Sequence, residues 1–336
     1  MQTRNLIKAA VLAVALVAGF VTFWELKWRS KGFIPTYNDD KVLWANARKE
    51  VYKDATVFIG SSRIKYDLDI PTWEKITGEK AVQLALVGTS PRLLLQDLAN
   101  DENFKGRLVL DITEILFFSQ NPVFQKSSRE AIAFYKDQTP SQEFSAAINF
   151  AVESKLTFLE EQNFSLTALL NDMEIPNRPG VFSFPVFPKG FGWTTEDRQT
   201  YMSAGFLADQ KALKRQTDIW NILLMSDPTP LPTPQQTKAI FDEVKTAIEK
   251  INQRGGKVVF VRTPSNGPLA EMENQKYPRA QYWDALLSYS HTPGLHFSDH
   301  PGTAELICPE WSHLTKEDAI TYTKELIGLL RKINWF

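Results

Sequence analysis

Two short motifs at opposite ends of the chain hold the residue types that acyl transfer needs. The first is Gly60-Ser61-Ser62-Arg63, which closes the apolar run Val57-Phe58-Ile59. A glycine at a strand end followed by small hydroxyl residues can form a tight turn that points a nucleophile outward at a helix N-terminus. There, free backbone N–H groups and the helix dipole favour developing negative charge. By itself Gly-Ser-Ser is also what a helix cap looks like, because serine oxygens accept from first-turn N–H groups. The second motif is Glu310-Trp311-Ser312-His313. A serine is a poor nucleophile until a base takes its proton, and the base needs a third group to fix its tautomer. A carboxylate three residues before a histidine lets one turn present both to one site. The pair of motifs therefore reads as Ser62 nucleophile, His313 base and Glu310 orienting acid, with Ser61 as a turn residue and Ser312 packing or capping beside His313.

Other charged residues fall near the same rim. Arg63 follows Ser62, and Arg262 ends the run Lys257–Arg262. Each is expected either to bind an anionic group of the substrate or to pair structurally with Asp111, Glu114 or Asp299. Asp111 and Glu114 could form a carboxylate pair for glycoside cleavage, but nothing else in the chain supports that chemistry. His296, Asp299 and His300 have the residue types of a metal site. Their run reads as strand and loop rather than a helix face, so they are expected to wall the region near His313, with Asp299 a reserve triad acid. The aromatics of Tyr277-Pro278-Arg279-Ala280-Gln281-Tyr282-Trp283-Asp284 are read as packing. There is no phosphate-cradling loop and no dinucleotide fingerprint after a strand, so no cofactor and no metal are expected.

The elements that must position these residues alternate. Thr56 to Gly60, Ala81 to Leu86, Arg107 to Asp111 and Lys257 to Arg262 are short apolar runs of the kind a parallel sheet buried on both faces requires. Helices are expected after Pro91, over Pro234 to Gln253 before the Gly255-Gly256 stop, and over Thr315 to about Ile333. This order predicts a three-layer α/β/α fold with a central parallel sheet of about five strands. Residues 118–233 break the pattern. A structureless loop of that length does not fit a compact domain, so an inserted helical lid is expected, including the aromatic passage from Phe182 to Trp193. The divisions are 1–30 as an anchor, 31–117 and 234–336 as two parts of one domain, and 118–233 as the insertion.

Residues Leu6 to Trp24 are apolar except for Lys8 and Thr22. Nineteen helical residues span about 28 Å, close to the hydrocarbon thickness of a bilayer. Trp24 and Trp28 would mark one interface. A cleaved signal peptide is the rival reading, but Phe20-Val21-Thr22-Phe23-Trp24 would make an apolar mature terminus, so an uncleaved anchor is expected. Arg4 and Lys8 stand at its start and Lys27, Arg29 and Lys31 follow it, so charge hardly sets the orientation. A net charge of -1 over 336 residues gives no field to attract nucleic acid. The single cysteine, Cys308, excludes an intrachain disulfide.

The two motifs together resemble those of the SGNH, or GDSL-like, hydrolase superfamily. Gly60-Ser61-Ser62 stands where that family has Gly-Asp-Ser, Gly88 where it has an oxyanion-hole glycine, and Glu310 to His313 where it has Asp-x-x-His. The third block usually supplies an asparagine; here Asp111-Ile112-Thr113-Glu114 has none. The resemblance implies an acyl-serine mechanism, with the oxyanion held by the N–H groups of Ser62 and Gly88 and the Thr113 hydroxyl as a substitute donor. Membrane-anchored relatives with altered blocks act in teichoic-acid D-alanylation and alginate O-acetylation beside polytopic membrane-bound O-acyltransferases. That implies an extracytoplasmic domain, an acylated glycan or lipid substrate, and such an acyltransferase as partner. A non-catalytic envelope accessory protein is the second reading.

Overall fold

The computed structural model describes residues 2–52, 54–171, 180, 187–226 and 230–336. Among them the strands are β1 (Thr56–Ile59), β2 (Ala81–Gln83), β3 (Arg107–Asp111), β4 (Gly192–Thr194), β5 (Thr200–Met202), β6 (Lys257–Arg262) and β7 (Gly294–His296). Five of them form one parallel sheet in the order β2-β1-β3-β6-β7. The apolar runs become these strands because both faces are covered. Val57, Ile59, Leu108, Leu110, Val258 and Phe260 enter one core, while Phe58, Val109, Val259 and Val261 enter the other. Successive strand residues point to opposite faces, so only a sheet sandwiched on both sides makes use of unbroken apolar runs.

The first core is closed by helices Lys41–Lys49, Arg92–Asn100, Pro234–Gln253 and Trp283–Ser290, the second by Ile70–Thr77 and Lys316–Lys332. The fold is therefore a three-layer α/β/α sandwich. Thr233 and Gln236 form a capping box at the start of the Pro234 helix, and the Thr315 hydroxyl accepts from the Asp318 N–H (3.1 Å) before the last one. The second strand is shorter than expected. Pairing nevertheless continues in irregular backbone, with Leu84 N–H on Phe58 O (2.8 Å) and Leu86 N–H on Gly60 O (3.2 Å). Strand order reverses direction of growth between β1 and β3, and ligands of open α/β sheets bind beyond the carboxyl ends at such a point. Ser62 follows β1 there.

Between β3 and β6 the chain forms helices Lys126–Asp137, Pro140–Glu153, Glu161–Phe164, Leu166–Asn171, Ala204–Ala208 and Gln210–Ser226, together with the antiparallel hairpin β4–β5. The hairpin was not expected. Its three-residue strands are too short to show a period. Of the passage 182–193, residues 182–186 lie outside the described residues. The hairpin is stitched to the sheet edge by buried polar groups. Arg198 donates to the carbonyls of Gln83 (2.7 Å) and Ala85 (2.9 Å) and to Asp39 (2.8 Å), which also receives Lys65. The Ile70 N–H donates to Gln199 Oε1 (2.7 Å), and the Tyr201 hydroxyl donates to Asp69 (2.6 Å).

The helix Gln2–Arg29 is long and apolar enough to cross a membrane, with a mean hydropathy of 2.3 over an 18-residue stretch; a signal sequence has the same character. Its far end is fastened to the insertion. Glu25 accepts from the N–H groups of Thr157 (2.9 Å) and Phe158 (3.4 Å), and Arg29 donates to Lys155 O (2.7 Å). The Trp28 ring lies 4.8 Å from that of Phe164.

The Asp39 clamp carries a pH signature. Burial opposes ionisation of Asp39, but the Arg198 and Lys65 cations outweigh it and hold the carboxyl at about 2. A depressed folded value contributes stability above the ordinary 3.8 and loses it as pH falls toward 2. Asp39→Asn is expected to lower the denaturation midpoint at pH 6, and the gap to wild type should narrow at pH 2.5. A gap that stays constant across that range would mean Asp39 is not held ionised by its partners.

Candidate active site

β1 delivers the chain into a crowded turn. A Cβ on Gly60 would stand 2.7 Å from both Asp111 Cβ and Ile64 Cγ2, so only glycine lets β1 pass this close to β3. Ser61 comes next, extended (φ -95°, ψ -164°), and caps the helix Ser62–Asp67. Its hydroxyl oxygen accepts from Arg63 N–H (3.3 Å) and lies 2.7 Å from Thr113 Oγ1, which in turn lies 3.0 Å from Asp111 Oδ2. A carboxylate only accepts, so Thr113 donates to Asp111 and Ser61 to Thr113. Ser61 is 1% exposed and structural. Ser62 is half-buried, and no side-chain hydrogen bond joins it to another described residue.

His313 meets Glu310 as the motif implied. Nδ1 lies 2.9 Å from Glu310 Oε1, which also accepts the backbone N–H groups of His313 (2.6 Å) and Ser312 (3.2 Å). The carboxylate fixes the proton on Nδ1 and leaves Nε2 as the basic nitrogen. Nε2 is buried and has no hydrogen-bond partner. The helix Ser62–Asp67 runs alongside this loop: Arg63 Nε donates to Ser312 Oγ (3.4 Å), the Tyr66 ring packs tilted against the His313 ring (4.6 Å), and Leu314 N–H donates to Asp67 (2.8 Å). Ser62 is one turn before Tyr66, on the same helix face. No hydrogen bond joins Ser62 to His313, whose Nε2 is without a partner.

Several residues here were not anticipated. Trp220, from the insertion helix Gln210–Ser226, donates its indole N–H to Glu310 Oε2 (2.5 Å). Trp220 and Phe191 also stand 6.2 and 5.8 Å from the His313 ring, so the insertion roofs a base that is only 2% exposed. Tyr66 was detectable, since it lies four residues after Ser62 on a helix. Phe191 belongs to the aromatic passage assigned above to the insertion; nothing local in the sequence marks Trp220. Asp67 is a further buried acid; burial pushes its carboxyl well up, Leu314 N–H opposing.

Other expectations need correction. Thr113 cannot serve as an oxyanion donor in this arrangement, because its proton goes to Asp111. Arg63 and Arg262 are not free rim cations: Arg63 pairs with Glu273, and Arg262 pairs with Glu114 (2.9 Å) and Glu273 (2.7 Å). All four are buried. That also removes Asp111 and Glu114 as a free carboxylate pair. Asp299 is no reserve acid, since it is held by Arg279 at 2.5 and 2.7 Å. His296 is lowered to about 3 by burial, Arg262 and Arg279. Among the described residues no cluster of His, Cys, Asp and Glu could hold a metal ion. Gly88 is exposed at φ +60°, a left-handed turn open around its Cα, in the loop leading from β2 past Gly60.

No family model matches the chain, and no curated protein matches it. Among solved structures it is similar to a crystal structure from Bacteroides fragilis NCTC 9343, provisionally described as an acylhydrolase, at 10% identity over 86% of this chain and 95% of that one, with a TM-score of 0.36. The fold assignment rests on the sheet order and layers of the chain itself.

The two serines are separable by stability. Ser61→Ala loses a cap and the bond to Thr113 and should cost about 1–2 kcal/mol. Ser62→Ala should stay within about 0.5 kcal/mol of wild type. Chemical denaturation of both variants checks this, and the opposite ranking would make Ser62 the structural residue.

Proposed function

We propose that this chain is a serine esterase or O-acyltransferase of the SGNH type, held to a membrane by its N-terminal helix, acting on an acylated cell-envelope glycan or lipid. The observation that carries the reading is the buried His313, with Nδ1 spent on Glu310 and Nε2 unpartnered beside the helix that begins at Ser62. An unsatisfied buried acceptor costs about 1–3 kcal/mol, so a site that keeps one has a use for it.

In this reading Ser62 Oγ attacks the acyl carbonyl while His313 Nε2 takes its proton. Glu310 stabilises the resulting imidazolium, and Nε2–H then protonates the departing alcohol oxygen, leaving an acyl-serine. Water or a sugar hydroxyl, deprotonated by the same nitrogen, attacks the acyl-serine and regenerates Ser62. The oxyanion would be held by first-turn N–H groups at Ser62 and by Gly88 N–H, without a third side-chain donor. The large domain is placed outside the cytoplasm, where a polytopic membrane-bound O-acyltransferase would be its partner.

A second reading has its own support. His313 is roofed by Trp220 and Phe191, and Ser62 does not reach it, as befits an accessory protein that keeps the fold without the reaction. Fluorophosphonate labelling of the full chain in detergent separates the two. The enzyme reading expects labelling of wild type and none of Ser62→Ala or His313→Ala; equal labelling of Ser62→Ala overturns it. Glu310→Gln places an amide N–H₂ against donors that now converge on a carboxylate. Its kcat on a p-nitrophenyl ester should fall about 10³–10⁴-fold, by analogy with loss of the acid in serine proteases. A kcat within tenfold of wild type would remove Glu310 from the triad.

A further inference from the structure

A cavity of about 390 Å³ opens where the chain leaves the N-terminal helix. Its volume falls in the range of roughly 300–1,000 Å³ typical of small-ligand sites. Phe33 and Ile34 of the exit segment line it together with Phe164, Trp193 and Phe206 of the insertion. Much of the polar lining is engaged internally. Glu160 accepts from Gln162 and Asn163 N–H (2.8 Å each), Asn163 Oδ1 accepts Gly190 N–H (2.9 Å), Lys189 donates to Asn163 O (3.0 Å), and Ser203 donates to Gly190 O. Lys31, Thr36 and Asp209 add polar groups to the lining, beside an apolar wall of Phe33, Ile34, Phe164, Trp193 and Phe206 that suits a hydrocarbon chain.

The position of the cavity relates it to the site. Phe206, in its wall, lies 4.7 Å from the Phe191 ring, and Phe191 lies 5.8 Å from the His313 ring. Two aromatic rings therefore separate the cavity from the base. Its lining reaches Lys31, two residues after the apolar helix ends at Arg29, so a chain can enter from the bilayer boundary.

We infer that this cavity receives the acyl chain of a lipid-borne ester drawn from the membrane, with Phe191 and Phe206 forming the partition that turns to admit the ester carbonyl to Ser62. The inference rests on the serine-ester reading above and names its substrate class. Gly205 gives a clean way to fill the space, because a Cβ there meets nothing nearer than 3.9 Å.

The full chain in nanodiscs containing a phosphatidylcholine with a diazirine on its acyl chain provides the test. Wild type should be photolabelled in peptides covering 31–36 and 203–212. Gly205→Trp should lower that labelling at least fivefold while leaving labelling of the helix Gln2–Arg29 unchanged. With p-nitrophenyl octanoate, the same variant should lose at least tenfold in kcat/KM, with the acetate ester changed less than twofold. Absence of label at 203–212, or label and chain-length preference unaffected by Gly205→Trp, overturns the inference. Photolabelling retained in a protein that never reacts with fluorophosphonate sinks the serine-ester reading instead; the partition role of Phe191 then falls with it.

Discussion

The carboxylate of Glu310 holds the site together. It is closed to solvent, and four N–H groups converge on it: His313 Nδ1, the backbones of Ser312 and His313, and the Trp220 indole. A buried carboxylate with fewer donors would cost several kcal/mol. Meeting that demand fixes the His313 tautomer, the path of the loop and the seat of the insertion at once. The loop bends sharply to do it. Trp311 sits at φ +77°, a left-handed conformation unfavourable for a bulky side chain, and its carbonyl accepts Asn266 N–H (3.0 Å). Asn266 also accepts the Cys308 N–H (2.5 Å), so both sides of the strained residue are held from the loop after β6. Strain of this kind persists only where the surroundings over-determine it.

Beneath the rim lies a second constraint. Arg63 and Arg262 alternate with Glu273 and Glu114 in a chain of buried ion pairs. Each charge has lost its hydration, and only mutual pairing and added hydrogen bonds offset that loss. Arg262 meets this fully, donating also to Ser265 (3.1 Å) and to Thr263 O. Moving either arginine to a substrate anion would strip a buried carboxylate of its partner, which is why residues that look like anion binders in sequence serve here as the floor of the site. Asp111 closes that floor. Burial raises its carboxyl, with Arg262 and Arg63 opposing, and the contact with Gly60 leaves no room for a side chain between β1 and β3.

What the sequence revealed followed from how each feature is encoded. Four of the five sheet strands were legible because two-sided burial demands unbroken apolar runs, and Pro234–Gln253 because its cap and its apolar spacing agree. The fifth, β7, with Leu295 its one buried residue, shows no such run. Glu310 and His313 were legible because their contact spans three residues. The hairpin, Trp220 and Glu273 were not. Trp220 reaches Glu310 from ninety residues away, and Glu273 sits on a helix whose sequence carries no motif; both acquire their roles only when the chain closes. Arg262 shows the limit of reading charges by type: Glu114 was among its expected partners, and Glu273 was not.

The same geometry that makes His313 a defined base also closes it. Trp220 contributes to both, as a donor to Glu310 and as part of the roof over the His313 ring. Displacing it to admit a substrate would remove one of the four donors on Glu310 and expose the aromatic roof, two costs that fall on the open state alone. Under the proposed esterase function, a substrate that fills the space left by the roof would recover apolar burial at roughly 25 cal/mol per Å² and give Nε2 and Ser62 a proton path that the closed arrangement does not provide. Poor occupants recover little of either and leave the roof shut. Under that proposal, access to Ser62 is linked to the shape of what arrives, through the insertion and not through charges at the rim.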